Sequence, residues 1–260
     1  MNIKHIIAVS SGKGGVGKST VSVNLSISLS KKKYKVGLLD ADIYGPSIHK
    51  MMGEDSKPNV SEEKKILPFE KFGIKFMSIG NIIPDSKPVI WRGTMVVNAL
   101  RQLLKDISWG NLDFLIIDLP PGTGDVQLSL SQNLNFSGAV VVSTPQEVSL
   151  IDVRRSIGMF KRVNVYILGL IQNMSFYENK KENTKDYVFG KDGVRKEALK
   201  ENINFLGEIP ILSSISKGSD DGKPESFNDK SVESKIFDLI TDNLLKSIKN
   251  IKSTEIEIEN

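Results

Sequence analysis

Residues 10–20 read SSGKGGVGKST. Gly12, Gly17, Lys18 and Ser19 are spaced as glycine, four residues, then Gly-Lys-Ser. That spacing is suited to holding phosphate. Glycines let the backbone turn tightly and aim its amides inward, so Gly12, Gly14, Gly15, Val16 and Gly17 form the cradle. A helix opening at Lys18 adds partial positive charge. Lys18 is expected on the β and γ phosphates, the Ser19 hydroxyl on Mg²⁺, and Thr20 near the α phosphate. A chance match arises in roughly a few chains per hundred of this size. An apolar run before the motif and a helical pattern after it make chance a poor explanation.

Two further segments place carboxylates at strand ends, the edge where open α/β sheets bind ligands. LLDADIYGPS carries Asp40 and Asp42, and LIIDLPPGTGD carries Asp118. Asp40 is expected to orient the attacking water. Asp42 and Asp118 are expected around Mg²⁺, through water. Gly122 and Gly124 give the following loop the freedom to sense a γ phosphate. Taken singly, each aspartate reads as a strand-end cap or a solvated carboxylate; three of them beside one phosphate loop read as a site. Lys13 has no task in an ordinary phosphate loop. It is either a solvated lysine or a charge delivered to a neighbouring subunit's nucleotide, like an arginine finger.

The elements that position these residues follow from apolar patterning. Residues 5–9, 36–40, 112–118, 139–143 and 165–171 are short runs, most nearly continuous in apolar residues, as in strands buried on both faces. Residues 18–30, 95–105 and 148–162 read as helices between them. This predicts an α/β fold: a doubly wound, mostly parallel sheet with helices on both faces, as in P-loop NTPases. A β-rich excursion is expected near residues 54–90, within a single ATPase domain over residues 1–250. A polar loop is expected after Asn173, and a flexible acidic tail over 251–260. Residues 232–249 place Ile236, Leu239, Ile240 and Leu244 at helical spacing. The helix is expected to pack on the body, with membrane-surface attachment as the other reading.

Composition bounds the rest. Net charge is +4 over 260 residues, and the pI is near 9.0. This is a mild basic excess that permits an anionic ligand without arguing for nucleic acid. The chain has no cysteine, which excludes disulfides and thiolate ligation of a metal or cluster by its own residues. His5 and His49 are far apart in sequence and more often structural than ligands. No apolar run approaches a membrane span and no signal-peptide pattern opens the sequence, so a cytoplasmic protein is expected.

With Lys13, Asp40, Asp42 and Asp118 in place, the chain resembles the deviant phosphate-loop ATPases that include MinD and ParA. It is most similar to the Mrp/ApbC-type (Mrp/NBP35) branch, the carrier ATPases of iron–sulfur cluster assembly. The stretches carrying this are KGGVGKST, DADIYGPS, WRGTM at residues 91–95, DLPPGTGD, TPQEVSLIDVRRSIGMF, NMS and FLGEIP. The resemblance implies an ATP-sandwich homodimer in which Lys13 crosses to the partner's phosphates. It also implies that Asn173 reads adenine and that Pro210 and Ile211 line the base pocket.

The departures matter as much. The family usually carries a Cys-x-x-Cys pair shortly after Asn-Met-Ser, through which two subunits hold one cluster. Here that place reads FYENKKENTKD. Clusters are normally held by thiolates, so no iron–sulfur ligand is expected from this chain. The resemblance still implies ATP, Mg²⁺ and a cluster as cargo, with assembly partners that bear cysteines. Two other readings stand beside it: a MinD/ParA-like positioning ATPase acting at a membrane or DNA, and an ATP-dependent adaptor with another cargo.

Overall fold

Strands covered on both faces have little place for polar side chains, and the apolar runs accordingly form the inside of one sheet. The computed structural model describes residues 2–82, 93–179 and 181–249. Its first half runs β1 (Ile3–Ser10), α1 (Lys18–Lys31), β2 (Val36–Asp40), α2 (Ile48–Met51), β3 (Phe69–Lys71), β4 (Ile74–Ser78), α3 (Gly93–Asp106) and β5 (Leu112–Asp118). There follow α4 (Asp125–Asn133), β6 (Gly138–Ser143), α5 (Glu147–Arg162), β7 (Ile167–Asn179), β8 (Thr184–Asp186), α6 (Gly193–Lys200), β9 (Phe205–Ile211), α7 (Ser213–Asp220) and α8 (Val232–Lys249).

The strands lie in the order β4-β2-β5-β1-β6-β7-β9, all parallel. Antiparallel β3 pairs with β4, and antiparallel β8 with the end of β7. Alternation along each strand feeds two cores. Ile7, Val9 and Leu38 face α1, α2 and α8 through Val21, Leu25, Ile48, Phe237 and Ile240. Ile6, Ala8 and Leu115 face α3 to α6 through Leu100, Leu130, Val153, Phe160 and Val194. Helices therefore cover both faces. β1 lies at the centre of the sheet, and the phosphate loop leaves from its end.

Helix α1 alternates apolar residues with Ser22, Ser26 and Ser28, all buried. It is enclosed on two sides because α8 lies across it. Ser22 and Ser26 donate to the carbonyls of Lys18 and Ser22, one turn back, which satisfies polar groups that burial would otherwise strand.

The β-rich excursion holds the hairpin of β3 and β4, turned at Phe72 and Gly73 with φ of 52° and 77°, and β4 lies beside β2 as a strand of the main sheet. Two expectations are corrected here. The polar loop expected after Asn173 is instead a continuation of β7 to Asn179, with Ser175 and Phe176 buried. A bulge between Asn173 and Tyr177, with Met174 at φ 54°, breaks the two-residue period that would have marked the strand. The stripe that α8 buries is Phe237, Ile240, Leu244 and Ile248, whereas Leu239 is 61% exposed.

No helix among the described residues is long and apolar enough to cross a membrane. Trp91 and Arg92, which carry part of the resemblance, lie outside the described residues, as does the acidic tail.

Candidate functional site

Strand register assembles the site. β1 pairs with β5 so that Val9 lies beside Asp118, and β2 pairs with β5 so that Asp40 lies beside Asp118. The phosphate loop and both acidic segments therefore leave the sheet at one edge. Gly17 caps α1 in the left-handed region, φ 85°. A Cβ there would also strike the Asn173 amide, and a Cβ on Gly12 would strike Asp152 of α5. Gly17 demands glycine for turn geometry as well as packing, and Gly12 for packing.

Lys18, 6% exposed, places its ammonium 2.7 Å from Asp118 Oδ2 and 3.6 Å from Asp42 Oδ2. Asp118 also accepts from the Ser19 hydroxyl at 2.6 Å and from the Ser22 hydroxyl at 2.6 Å. Burial works to lower the Lys18 pKa. The carboxylates of Asp118, Asp42 and Asp40 outweigh it and raise the pKa above the ordinary lysine value, so the ammonium stays charged. Ser19, Thr20, Gly14, Gly15 and Gly17 line a cavity of about 230 Å³ with Asp42, Gly45, Ser47 and Pro121.

The three aspartates differ in what they can reach. Asp118 is buried and fastens the start of α1 to β5. Asp42 lines the cavity; burial and Asp118 raise its pKa, while Lys18 pulls it down. Asp40 is 0% exposed. Its Oδ1 accepts from the Asp42 amide, and its Oδ2 accepts from the Ser47 and Ile48 amides and, at 2.7 Å, from the Ser78 hydroxyl. Burial and the neighbouring Asp118 push its pKa up to about 7, against the pull of Ser78, Ile48 and Lys18. A carboxylate so enclosed has no oxygen left for a water in the cavity. Asp40, expected to orient the attacking water, lies outside the cavity lining and shapes the loop after β2, and Asp42 is the carboxylate that loop presents to the cavity.

Other expected residues fall as follows. Lys13 is half-buried and forms no ion pair among the described residues. Val16 is buried, and its carbonyl accepts from Asn173 Nδ2 at 2.8 Å. Asn173 thus spends its amide donor holding the phosphate loop from beneath, a task the sequence did not suggest. Pro210 and Ile211 end β9 at the same sheet edge. Ile211, paired with Tyr177, lines a second cavity of about 700 Å³ with Glu178, Leu212 and Glu233. The oxygen donors Ser19, Asp42 and Asp118 are hard ligands of the kind Mg²⁺ selects.

Sequence reading missed Ser22, Ser78 and Gln127. Ser22 lies one helical turn beyond Lys18, which was the available signal. Ser78 lies at the end of a strand whose place in the sheet was not foreseen.

The segment that replaces the family's cysteine pair is a hairpin. Phe176 is covered by the Lys185 ammonium, 4.1 Å from its ring centre, and tilts against Tyr187 at 5.9 Å. Its described side chains include no thiolate or imidazole, and no cluster of three potential metal-ligating residues occurs among the described residues.

Residues 2–245 match the family described as ParA: NUBPL iron-transfer P-loop NTPase. The chain is 48% identical over 252 residues to the Arabidopsis thaliana iron–sulfur protein required for NADH dehydrogenase, mitochondrial, covering 96% of this chain and 80% of that one. It is 50% identical over 224 residues to an iron–sulfur cluster carrier protein of Aquifex aeolicus; the match covers 85% of this chain but only 62% of the carrier's length. Among solved structures, a nucleotide-binding protein from Archaeoglobus fulgidus in complex with ADP superposes with a TM-score of 0.78 at 38% identity, covering 90% of this chain and 92% of that one.

Proposed function

The chain belongs to the NUBPL-type family of iron-transfer P-loop NTPases, and from that premise we propose that it binds and slowly hydrolyses ATP as a homodimer in order to handle an iron–sulfur cluster held by another chain's thiolates. The observation that carries the first half is the convergence of the Lys18 ammonium and the Ser19 hydroxyl on Asp118, each within 2.7 Å of its carboxylate, at the mouth of α1. In this reading the amides of residues 12–17 and the α1 N-terminus hold the phosphates. Lys18 swings from its carboxylates to the β and γ oxygens. Mg²⁺, when bound, neutralises phosphate charge; Ser19 would ligate it, with Asp42 and Asp118 behind it through water.

Asp42 orients the attacking water, and Lys13 of one subunit reaches the other's phosphates. Turnover is slow because no strong base faces the cavity. Asn173, Pro210 and Ile211 border the base, Asn173 with its remaining amide oxygen. A cytoplasmic location goes with this reading.

The cargo half rests on the sequence: with no cysteine, the protein works with a cysteine-bearing assembly partner. The positioning-ATPase reading is left without its main support, since α8 spends its apolar stripe on α1 and β9.

Two measurements test the proposal. Titration calorimetry with MgATP should give binding to the parent and none to Lys18→Ala, in which Asp42 and Asp118 face the phosphates uncompensated. Anaerobic reconstitution with iron and sulfide should leave the chain colourless alone. A stoichiometric, chelator-resistant cluster on the isolated protein would overturn the cargo assignment.

A further inference from the structure

Gln127 lies in the first turn of α4, 2% exposed, outside the cavity lining. Its Nε2 donates to the Ser10 hydroxyl at 2.8 Å and to the Pro120 carbonyl at 2.9 Å. Ser10 is the last residue of β1 before the phosphate loop. Pro120 opens the loop that follows Asp118. One side chain therefore ties together the two segments that must read the same phosphate. The amide cannot be turned over, because the Pro120 carbonyl is an acceptor only and would then face the Gln127 carbonyl. In this orientation Gln127 Oε1 is buried and has no hydrogen-bond partner among the described residues.

A second tie runs alongside. The Gly122 amide, at φ 96°, donates to the Ser11 carbonyl at 2.9 Å, and the Leu119 amide to the Val9 carbonyl at 3.0 Å. The Gly122 amide is thus already engaged by the first residue of the phosphate loop. For it to meet a phosphate this bond must open, and the loop must pivot about the point that Gln127 holds. A buried acceptor left without a donor is costly, and such a group in a folded protein calls for an explanation.

We propose that Gln127 is a positioning residue that couples occupancy of the phosphate loop to the conformation of residues 119–124 and to α4. Its two donors fix the pivot at Ser10 and Pro120. Its unpaired Oε1 accepts a backbone amide of the loop once the loop has rearranged around nucleotide. Gln127 touches no phosphate itself; it acts through Pro120 and Gly122. The coupling to turnover rests on the ATPase reading above, whereas the coupling to loop conformation requires only nucleotide binding.

The experiment uses the full chain and the variants Gln127→Leu and Ser10→Ala, which cut the bridge from opposite ends. Hydrogen exchange over residues 119–133 is followed with and without MgADP and a non-hydrolysable ATP analogue, and ATP turnover is measured alongside. The parent's exchange in this segment should respond to nucleotide. Both variants should bind nucleotide within about threefold of the parent, lose that response, and show kcat reduced roughly tenfold or more with KM little changed. If the parent binds nucleotide but does not hydrolyse it, the ATPase reading fails while the exchange comparison still decides the coupling. Should Gln127→Leu fail to fold, Ser10→Ala decides alone. Parental exchange responses and parental kcat in a folded variant would overturn the proposal. So would a loss confined to affinity or to thermal stability.

Discussion

Two aspartates two residues apart look interchangeable in a sequence, and the structure separates their work. Asp40 accepts three backbone amides and one hydroxyl in full burial, while Asp42 lies on the cavity wall. If Asp42 orients the attacking water as proposed, Asp42→Asn should bind MgATP near the parental affinity and lose about a hundredfold in kcat. Asp40→Asn keeps the volume but turns an amide donor toward other donors. It should cost about 1–3 kcal/mol in stability through unpaired buried amides, lowering the melting temperature and disturbing binding and turnover together. Thermal melts with parallel steady-state kinetics read both variants. If Asp40→Asn keeps its stability and its affinity yet stops hydrolysing, the water-orienting role returns to Asp40. The phosphate loop itself was legible because its task is written in contiguous residues. The division between Asp40 and Asp42 was not, since it depends on Ser47, Ile48 and Ser78 folding back onto one carboxylate.

At the scale of elements, the parallel strands and their helices were readable from apolar runs, and what escaped were places where the chain breaks its own period. The bulge at Met174 hid the outer half of β7, and the register of β4 beside β2 has no local signal. In α8 the apolar spacing offers two overlapping stripes, and only contact with α1 selects Phe237 over Leu239. That selection is measurable. Phe237→Ala removes a fully buried ring from between α1 and β9 and should cost about 3–5 kcal/mol in denaturant unfolding. Leu239→Ala should be close to neutral. Equal effects would mean that α8 is not docked on this face. The hairpin of β7 and β8 supports a constructive prediction. Phe176, Tyr187 and Lys185 pack together on it, and its described side chains include no thiolate. Installing Cys-x-x-Cys with Asn179→Cys and Glu182→Cys should give visible absorbance and bound iron after anaerobic reconstitution, where the parent should show neither. Continued absence of iron from the folded double variant would mean that the hairpin has lost the geometry as well as the ligands.

For the molecule as a whole, the question is whether one copy is complete. The site of a single chain holds one lysine, Lys18, among three carboxylates, so it is short of positive charge for a triphosphate even with Mg²⁺ present. Lys13 does not remedy this from within its own subunit: it forms no ion pair among the described residues and lies outside the cavity lining. Gly12, next to it, is pressed against Asp152 of α5. That contact fixes the start of the phosphate loop, from which Lys13 projects. The N-terminal half of α5 also leaves Val148 and Ile151 exposed, 66% and 42%, an apolar area that a facing subunit would cover. Two copies closed about their nucleotides would each gain the missing cation from the other. Lys13→Ala should accordingly bind MgATP within about threefold of the parent, because the phosphate cradle is untouched. It should stay monomeric in sedimentation with ATP and lose roughly a thousandfold or more in hydrolysis, at the low end of what a trans-acting cation contributes to phosphoryl transfer. Mixing Lys13→Ala with an Asp42→Asn subunit sharpens the test. In that mixed dimer one nucleotide faces both an intact Asp42 and a crossing Lys13, and the other faces neither, so activity should reappear at one of the two sites. Hydrolysis at the parental rate by Lys13→Ala alone would show that each copy completes its own site, and the two-chain mechanism would fall.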